Sequence, residues 1–490
     1  MAKIYFIYFD LYSGSFSAFP HGLAYIIGTL KSDNNNVIFG HLRNDSDYES
    51  VIESIENNKP DIVGFSFSTT QKKYVRRFLD IYKPTTKLLI AGGIHPRLVK
   101  EQVFNDFPAI DGVCVGEGEI PLRELCHRFD AGGDYLHTPG FYFRTDTGII
   151  KNPIEPLYDL DSLPLPDYSL FDYKRMIREG GGYYQMMLSR GCPHNCTYCA
   201  SYALLESFPN KNRFVRYPSP SRAINIVKNN LSLYPYPKTK LIAFTDDVFT
   251  LNKKWLFSFC EMYKKEIKVP FMCLTRVENI SDDIARCLRD AGCVVIEFGV
   301  ESGNEWMRRH VLNRKYSNET VENALRVTKK YGIKRGVLIM IGLPFETNRM
   351  QVDTIELCRR LRTELGIVTF FFPFPGTKLW QVCSEYNLML DNLEDRASGL
   401  FNGPSLKEIF NSHKNTVKNY QVLQLFFYLR LVSPALHIPI ILENMLFRIL
   451  MLTRKIIFPF IDKSTESAFI IRFIQALRRF VLKNVIFRQG

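Results

Sequence analysis

From the amino terminus, short apolar runs alternate with segments of helical periodicity. The runs Ile4–Phe9, Val37–Phe39, Ile62–Phe67, Leu88–Ala91 and Val113–Val115 are separated by stretches such as Leu23–Leu30 and Val75–Ile81. Buried strands alternating with helices give this pattern, so residues 1–130 predict an α/β domain whose parallel sheet is covered on both faces. Small residues at the predicted strand ends (Ser13-Gly14, Ser66 to Thr70, Gly92-Gly93) fall where such a sheet binds ligands. As plain turn formers they would look the same.

Residues 131–180 read as a linker, with Gly132-Gly133 and Leu163-Pro164-Leu165-Pro166. A second series follows: Gln185–Leu188, Lys240–Phe244, Phe271–Leu274, Val294–Gly299, Gly336–Ile341 and Ile367–Phe372, with helical segments such as Ile280–Ala291 and Asn318–Tyr331 between them. Six βα repeats predict a partial (β/α)6 barrel over 181–385, with its active site at the carboxyl ends of the strands. Residues 386–490 predict a basic helical region rich in Leu, Ile and Phe. Arg430, Pro434, Pro439, Glu443 and Arg448 interrupt its apolar stretches, so none reaches the roughly 20 residues a bilayer requires. Two readings stand: a helical cap on the barrel, or a basic amphipathic surface resting on a membrane.

Composition changes this picture little. The 490 residues suffice for two or three domains, and 46% hydrophobic with 23% charged content is that of a folded protein. The net charge of +13 is uneven: within the last stretch, Arg454, Lys455, Lys463, Arg472, Arg478, Arg479, Lys483 and Arg488 face only Asp462 and Glu466. No basic run interleaves with stacking aromatics, so no nucleic-acid partner is expected. The start, Met1 to Ile7, lacks the pattern of a secretory signal, which predicts a cytoplasmic protein, with membrane association left open by the tail. In a reducing compartment closely spaced cysteines point to metal rather than disulfides. The scattered ones, such as Cys260 and Cys358, read as small buried hydrophobes.

One cluster of cysteines is tight: Ser189-Arg190-Gly191-Cys192-Pro193-His194-Asn195-Cys196-Thr197-Tyr198-Cys199, directly after a predicted barrel strand. Three thiolates at C-x3-C-x2-C spacing suit an iron–sulfur cluster. A structural zinc site would want a fourth ligand in a second close pair, and only His194 lies nearby. Three ligands leave one iron open to an exogenous group.

With an aromatic, Tyr198, before its last cysteine, this segment resembles the radical SAM superfamily. The resemblance implies a [4Fe–4S] cluster on Cys192, Cys196 and Cys199 whose open iron chelates S-adenosylmethionine (SAM), with one-electron cleavage giving a 5′-deoxyadenosyl radical. It also implies SAM contacts. Thr245-Asp246-Asp247 stands where the family binds the SAM amino group, although the usual Gly-Gly-Glu is replaced. Glu301 and Ser302, in Gly299-Val300-Glu301-Ser302-Gly303, resemble ribose and carboxylate contacts. Gly342 and Glu346, in Gly342-Leu343-Pro344-Phe345-Glu346-Thr347, resemble the segment backing the adenine. Arg276 and Arg314 suit the SAM carboxylate. Pro375-Gly376-Thr377 resembles the closing turn. Taken singly, each of these is equally a capped turn or a surface ion pair.

The first region resembles the Rossmann-like cobalamin (B12)-binding domain that precedes many radical SAM barrels, through Pro20-His21-Gly22-Leu23-Ala24, Pro60-Asp61-Ile62-Val63-Gly64, Gly92-Gly93-Ile94-His95-Pro96 and Gly116-Glu117-Gly118-Glu119. This implies cobalamin contacts at Gly14, Ser66, Ser68, Thr69, Gly92 and Gly93. The loop that would supply a cobalt-ligating histidine reads Asp10-Leu11-Tyr12-Ser13-Gly14, so no such ligand is expected; His21 and His95 read as loop-packing residues. The family's usual outcome is methylation of an unactivated carbon through methylcobalamin. The alternative is a cyclase or other non-methylating oxidoreductase with the same cofactors, acting on a small molecule such as a lipid or isoprenoid. The expected redox partner is a one-electron reductant such as flavodoxin or ferredoxin. The substrate itself leaves no motif.

Overall fold

The computed structural model describes residues 2–11, 19–179, 182–208, 210–235, 241–396 and 403–432. Seven strands form the first sheet: β1 (Lys3–Phe9), β2 (Asn36–Leu42), β3 (Ile62–Ser66), β4 (Leu88–Gly92), β5 (Gly112–Cys114), β6 (Phe141–Thr145) and β7 (Gly148–Lys151). Their order is β2-β1-β3-β4-β5-β6-β7; the first five are parallel and the last two antiparallel. Strand β1 shows why its apolar run is unbroken. Ile4 and Phe6 feed the core shared with the barrel, while Tyr5, Ile7 and Phe9 feed a second core on the opposite face. Both faces are buried, so alternation disappears.

The hairpin β6–β7 lies within the expected linker. Phe141 and Phe143 are fully buried, and the short turn Asp146-Thr147 returns the chain, so this segment extends the first sheet rather than merely connecting. A run this short, with one buried face, carries little periodic signal.

The second sheet is β8 (Tyr184–Met186), β9 (Ile242–Phe244), β10 (Phe271–Thr275), β11 (Cys293–Glu301), β12 (Lys334–Ile341) and β13 (Leu365–Phe370). These six parallel strands pair in chain order, as a partial barrel requires. Side-chain caps start its helices: Ser219, Asn252, Ser317, Thr347 and Thr377 each accept a backbone N–H of the first turn. The last of these gives Pro375-Gly376-Thr377 a structural role, starting the helix Lys378–Glu385.

The described part of the C-terminal region is the helix His413–Val432, packed on the outer strand β13. Tyr420 stacks on Phe370 at 4.3 Å between centroids, and Gln424 Nε2 donates to the Val368 carbonyl at 3.3 Å. Phe427 occupies the space above Gly366, where any Cβ would collide with its ring. This is the capping arrangement. The basic tail from Arg454 onward lies outside the described residues, and among those described no helix is long and apolar enough to cross a membrane. Phe427→Ala should therefore destabilise the barrel by about 3–5 kcal/mol, read as a lowered urea midpoint with an unchanged slope.

Candidate active site

The two sheets present their carboxyl ends to a common cavity of about 390 Å³. From the first sheet come Ser66 at the end of β3, Gly92 and Gly93 at the end of β4, and Gly116 to Glu119 after β5. From the barrel come Leu188 to Gly191 after β8, with Ser201 and Asp247. Gly93 has φ +97, and a side chain there would press on the Phe67 backbone, so the β4 turn requires glycine.

A largely buried ion network holds the halves together. Arg190 donates to Glu117 Oε2 at 2.9 Å and to Glu119, and Arg216 donates to the other Glu117 oxygen. The Arg190 and Arg216 backbones exchange two hydrogen bonds of 2.9 Å. The next residue, Gly191, has φ +83, and any side chain would strike the Phe214 carbonyl. From this anchor the cysteine loop runs to the helix Ala200–Ser207. Its middle is tied to later parts of the barrel: Thr197 Oγ1 donates to the Val311 carbonyl at 2.5 Å, and Leu379 N–H donates to the Thr197 carbonyl at 2.8 Å.

All eleven cysteines are free of disulfides; Cys196 is buried, and Cys192 and Cys199 are half-buried. Burial pushes the Cys192 thiol up to about 12, and the neighbouring charges of Asp247, Cys199 and Cys196 push the same way. A [4Fe–4S] cluster takes each thiolate on a separate iron, and three cysteine thiols on one loop are the donor set it needs. Burial and the Arg276 charge lower His194 to about 4, keeping it neutral, and its Nε2 is buried without a partner.

The expected SAM residues divide into two groups. Around the cysteine loop lie Asp247, Arg276, Glu301 and Arg314. Asp247 accepts from Ser201 Oγ at 2.9 Å at the cavity wall. Glu301 has φ +69 and follows a register shift at the end of β11; its carboxylate accepts from Arg314, which also donates to Tyr198 OH at 2.7 Å. The aromatic of the cysteine motif is thus wired to the end of β11. Arg276 donates to Cys196 Sγ at 3.1 Å and to Glu278 at 2.6 Å, so both of its terminal nitrogens are engaged within the chain.

The other expected residues serve their own turns. Asp246 is buried and accepts from the Leu188 and Ser189 N–H groups and the Ser189 hydroxyl, clamping the exit of β8; burial raises it to about 6. Ser302 accepts from Asn304 N–H at 3.2 Å, and its carbonyl accepts from Arg308 at 2.6 Å. Glu346 accepts from the N–H groups of Gly342 (2.7 Å) and Leu343 (3.2 Å) and from Gln351, closing the turn after β12. Gly342 and Glu346 border a separate cavity of about 30 Å³, shared with Leu406, His413 and Thr416.

On the first sheet, Ser66, Gly92 and Gly93 line the large cavity. Ser68 instead caps the turn at Thr69–Gln71, and Thr69 Oγ1 shares a 3.0 Å hydrogen bond with His95 Nδ1. His95 is buried in that packing role. His21, held to Tyr168 OH at 2.6 Å, also borders the cavity. Gly14 lies outside the described residues. Glycine edges and an apolar lining suit a broad, flat ligand such as a corrin. Sequence reasoning missed the Arg190–Glu117–Glu119–Arg216 network, since nothing in the spacing pairs residues so far apart.

Residues 186–358 match the radical SAM superfamily, and residues 14–126 match the B12 binding domain. The chain is a radical SAM enzyme with a B12-binding domain. It is similar to an uncharacterized methyltransferase of Pyrococcus horikoshii, 27% identical over 376 residues, covering 76% of this chain and 80% of that one. It is also similar to the anaerobic magnesium-protoporphyrin IX monomethyl ester cyclase of Rubrivivax gelatinosus, 26% identical over 381 residues, covering 74% and 66%. The fold resembles that of the radical SAM methyltransferase TsrM from Kitasatospora setae, solved with cobalamin and a [4Fe–4S] cluster (TM-score 0.64, 17% identity, 79% and 78% covered). It likewise resembles the cobalamin-dependent radical SAM enzyme OxsB, solved with aqua-cobalamin and SAM (0.67, 15%, 97% and 75%).

Two outcomes follow from this geometry. Arg190→Ala strands Glu119 in the interface and leaves Glu117 with Arg216 alone, so stability in urea should fall by about 3–5 kcal/mol. Burial raises Glu346 to about 7, against an ordinary value near 4.5. The folded chain then binds more protons than the unfolded one between those values, and this group's contribution to stability declines as pH rises from about 4.5 through 7. Glu346→Gln should flatten the pH dependence of Tm across that window.

Proposed function

We propose that this chain is a cobalamin-dependent radical SAM enzyme that removes a hydrogen atom from a small molecule and methylates the resulting carbon. The observation that carries the reading is the shared cavity, onto which the flank of the cysteine loop and the carboxyl ends of β3, β4 and β5 open together. When bound, the cluster and SAM would supply the radical that takes the substrate hydrogen, and cobalamin would supply a methyl carrier.

The chain's own part is positional. Cys192, Cys196 and Cys199 give the thiolates. Asp247 offers a carboxylate for the SAM amino group at the cavity wall. Arg314, locked to Glu301 and Tyr198, presents a guanidinium edge beside the loop for the SAM carboxylate. Asp246, Ser302, Gly342 and Glu346 act by fixing the turns from which these groups project. Ser66, Gly92 and Gly93 offer the small-residue wall against which the cobalamin would rest, and the apolar lining keeps water from a radical. A one-electron protein donor of the flavodoxin or ferredoxin kind supplies the electron.

Similarity to a cyclase favours a second reading, ring formation with the same cofactors. Methyl-deuterated SAM separates the two: deuterium in the product supports methyl transfer, and unlabelled product with 5′-deoxyadenosine formed supports cyclisation. The common reading is tested by Cys196→Ala. Anaerobically reconstituted variant protein should lose the iron–sulfur absorbance and form 5′-deoxyadenosine only at background level, while the cobalamin bands remain. Wild-type protein with neither chromophore would overturn it.

A further inference from the structure

We propose that Arg276 sets the reduction potential of the cluster by donating a hydrogen bond to one of its ligand sulfurs. The inference rests on the cysteine loop holding that cluster, as proposed above. Arg276 stands just beyond the carboxyl end of β10, is 7% exposed, and places Nη1 3.1 Å from Cys196 Sγ. Its other terminal nitrogen, Nη2, donates to Glu278 Oε1 at 2.6 Å. A guanidinium is planar, so fixing Nη2 fixes the direction of Nη1 as well. The neighbouring guanidinium, Arg314, directs Nη1 to Glu301 and Tyr198 rather than to the sulfur.

Such a donor acts on the redox couple rather than on the substrate. Reduction moves one electron from a one-electron donor onto the cluster; no bond forms or breaks, and the sulfurs become more negative. A positive N–H aimed at a ligand sulfur in a buried, weakly screening site stabilises the reduced form more than the oxidised form. Hydrogen bonds to cluster sulfurs are among the levers that tune such potentials. Arg276 is therefore a positioning residue for the electron, and pairing with the SAM carboxylate falls to Arg314.

The test is a mediator-buffered redox titration of the anaerobically reconstituted full-length protein, followed by electron paramagnetic resonance without SAM or substrate. Arg276→Gln should keep its iron and sulfide content, yet show about a tenfold lower reduced-to-oxidised ratio at the wild-type midpoint, which is about 59 mV for a one-electron couple. Arg276→Lys, which keeps the charge but not the fork, should recover part of the shift. An unmoved midpoint in a fully loaded Gln variant overturns the proposal. Should the Gln variant fail to hold the cluster, wild-type protein decides: its reduced cluster should show a hyperfine coupling from a nitrogen that changes on ¹⁵N-arginine labelling, and no such coupling overturns the proposal. Wild-type protein that binds no cluster at all overturns the underlying reading instead.

Discussion

Arg190 and Arg216 on the barrel meet Glu117 and Glu119 on the first sheet in a largely buried ion network, and the rest of the site is positioned from it. Charges taken from water are costly unless each finds its partner, so the two halves cannot slide by even a few ångströms without stranding one. Arg190 is held by its side chain, by the paired backbone with Arg216, and by the face of the Tyr25 ring at 4.9 Å. Two residues later comes the first cysteine of the loop. The same contacts that join the domains therefore fix where the metal loop begins relative to the glycine edge of the other sheet.

On the far side of the loop a second charged arrangement does similar work at greater local cost. A non-glycine residue at φ +69 is uncommon, and such strain costs of order 1–3 kcal/mol. Glu301 accepts it because the register shift at the end of β11 turns its carboxylate toward Arg314. Arg314 in turn reaches Tyr198 within the motif. The loop is thus gripped from β8 through the ion network and from β11 through Arg314.

Much of this was legible in the chain itself. The strands were readable because their apolar runs are long and continuous, as sheets covered on both faces demand. The three cysteines were readable because local spacing alone defines the motif. The hairpin β6–β7 was not, since two short strands beside a proline-rich stretch look like a connector. Among the site residues, Asp247, Glu301 and Arg314 come together about the loop, whereas Asp246 and Glu346 turn out to satisfy backbone N–H groups. Sequence cannot separate these cases: a carboxylate aimed at a ligand and one closing a turn occupy the same position in a strand-end motif. The direction of Arg276 toward sulfur depends on Glu278 two residues on, a pairing invisible without the side-chain geometry.

The hydrogen bonds that hold Thr197 come from Val311, Leu312 and Leu379, all far downstream of the cysteines they support. During synthesis the motif leaves the ribosome long before those partners exist, while the first parallel sheet can already close upon itself. The helix that covers β13 arrives later still. The loop that carries the thiols can therefore take its final form only after more than half the barrel has been made.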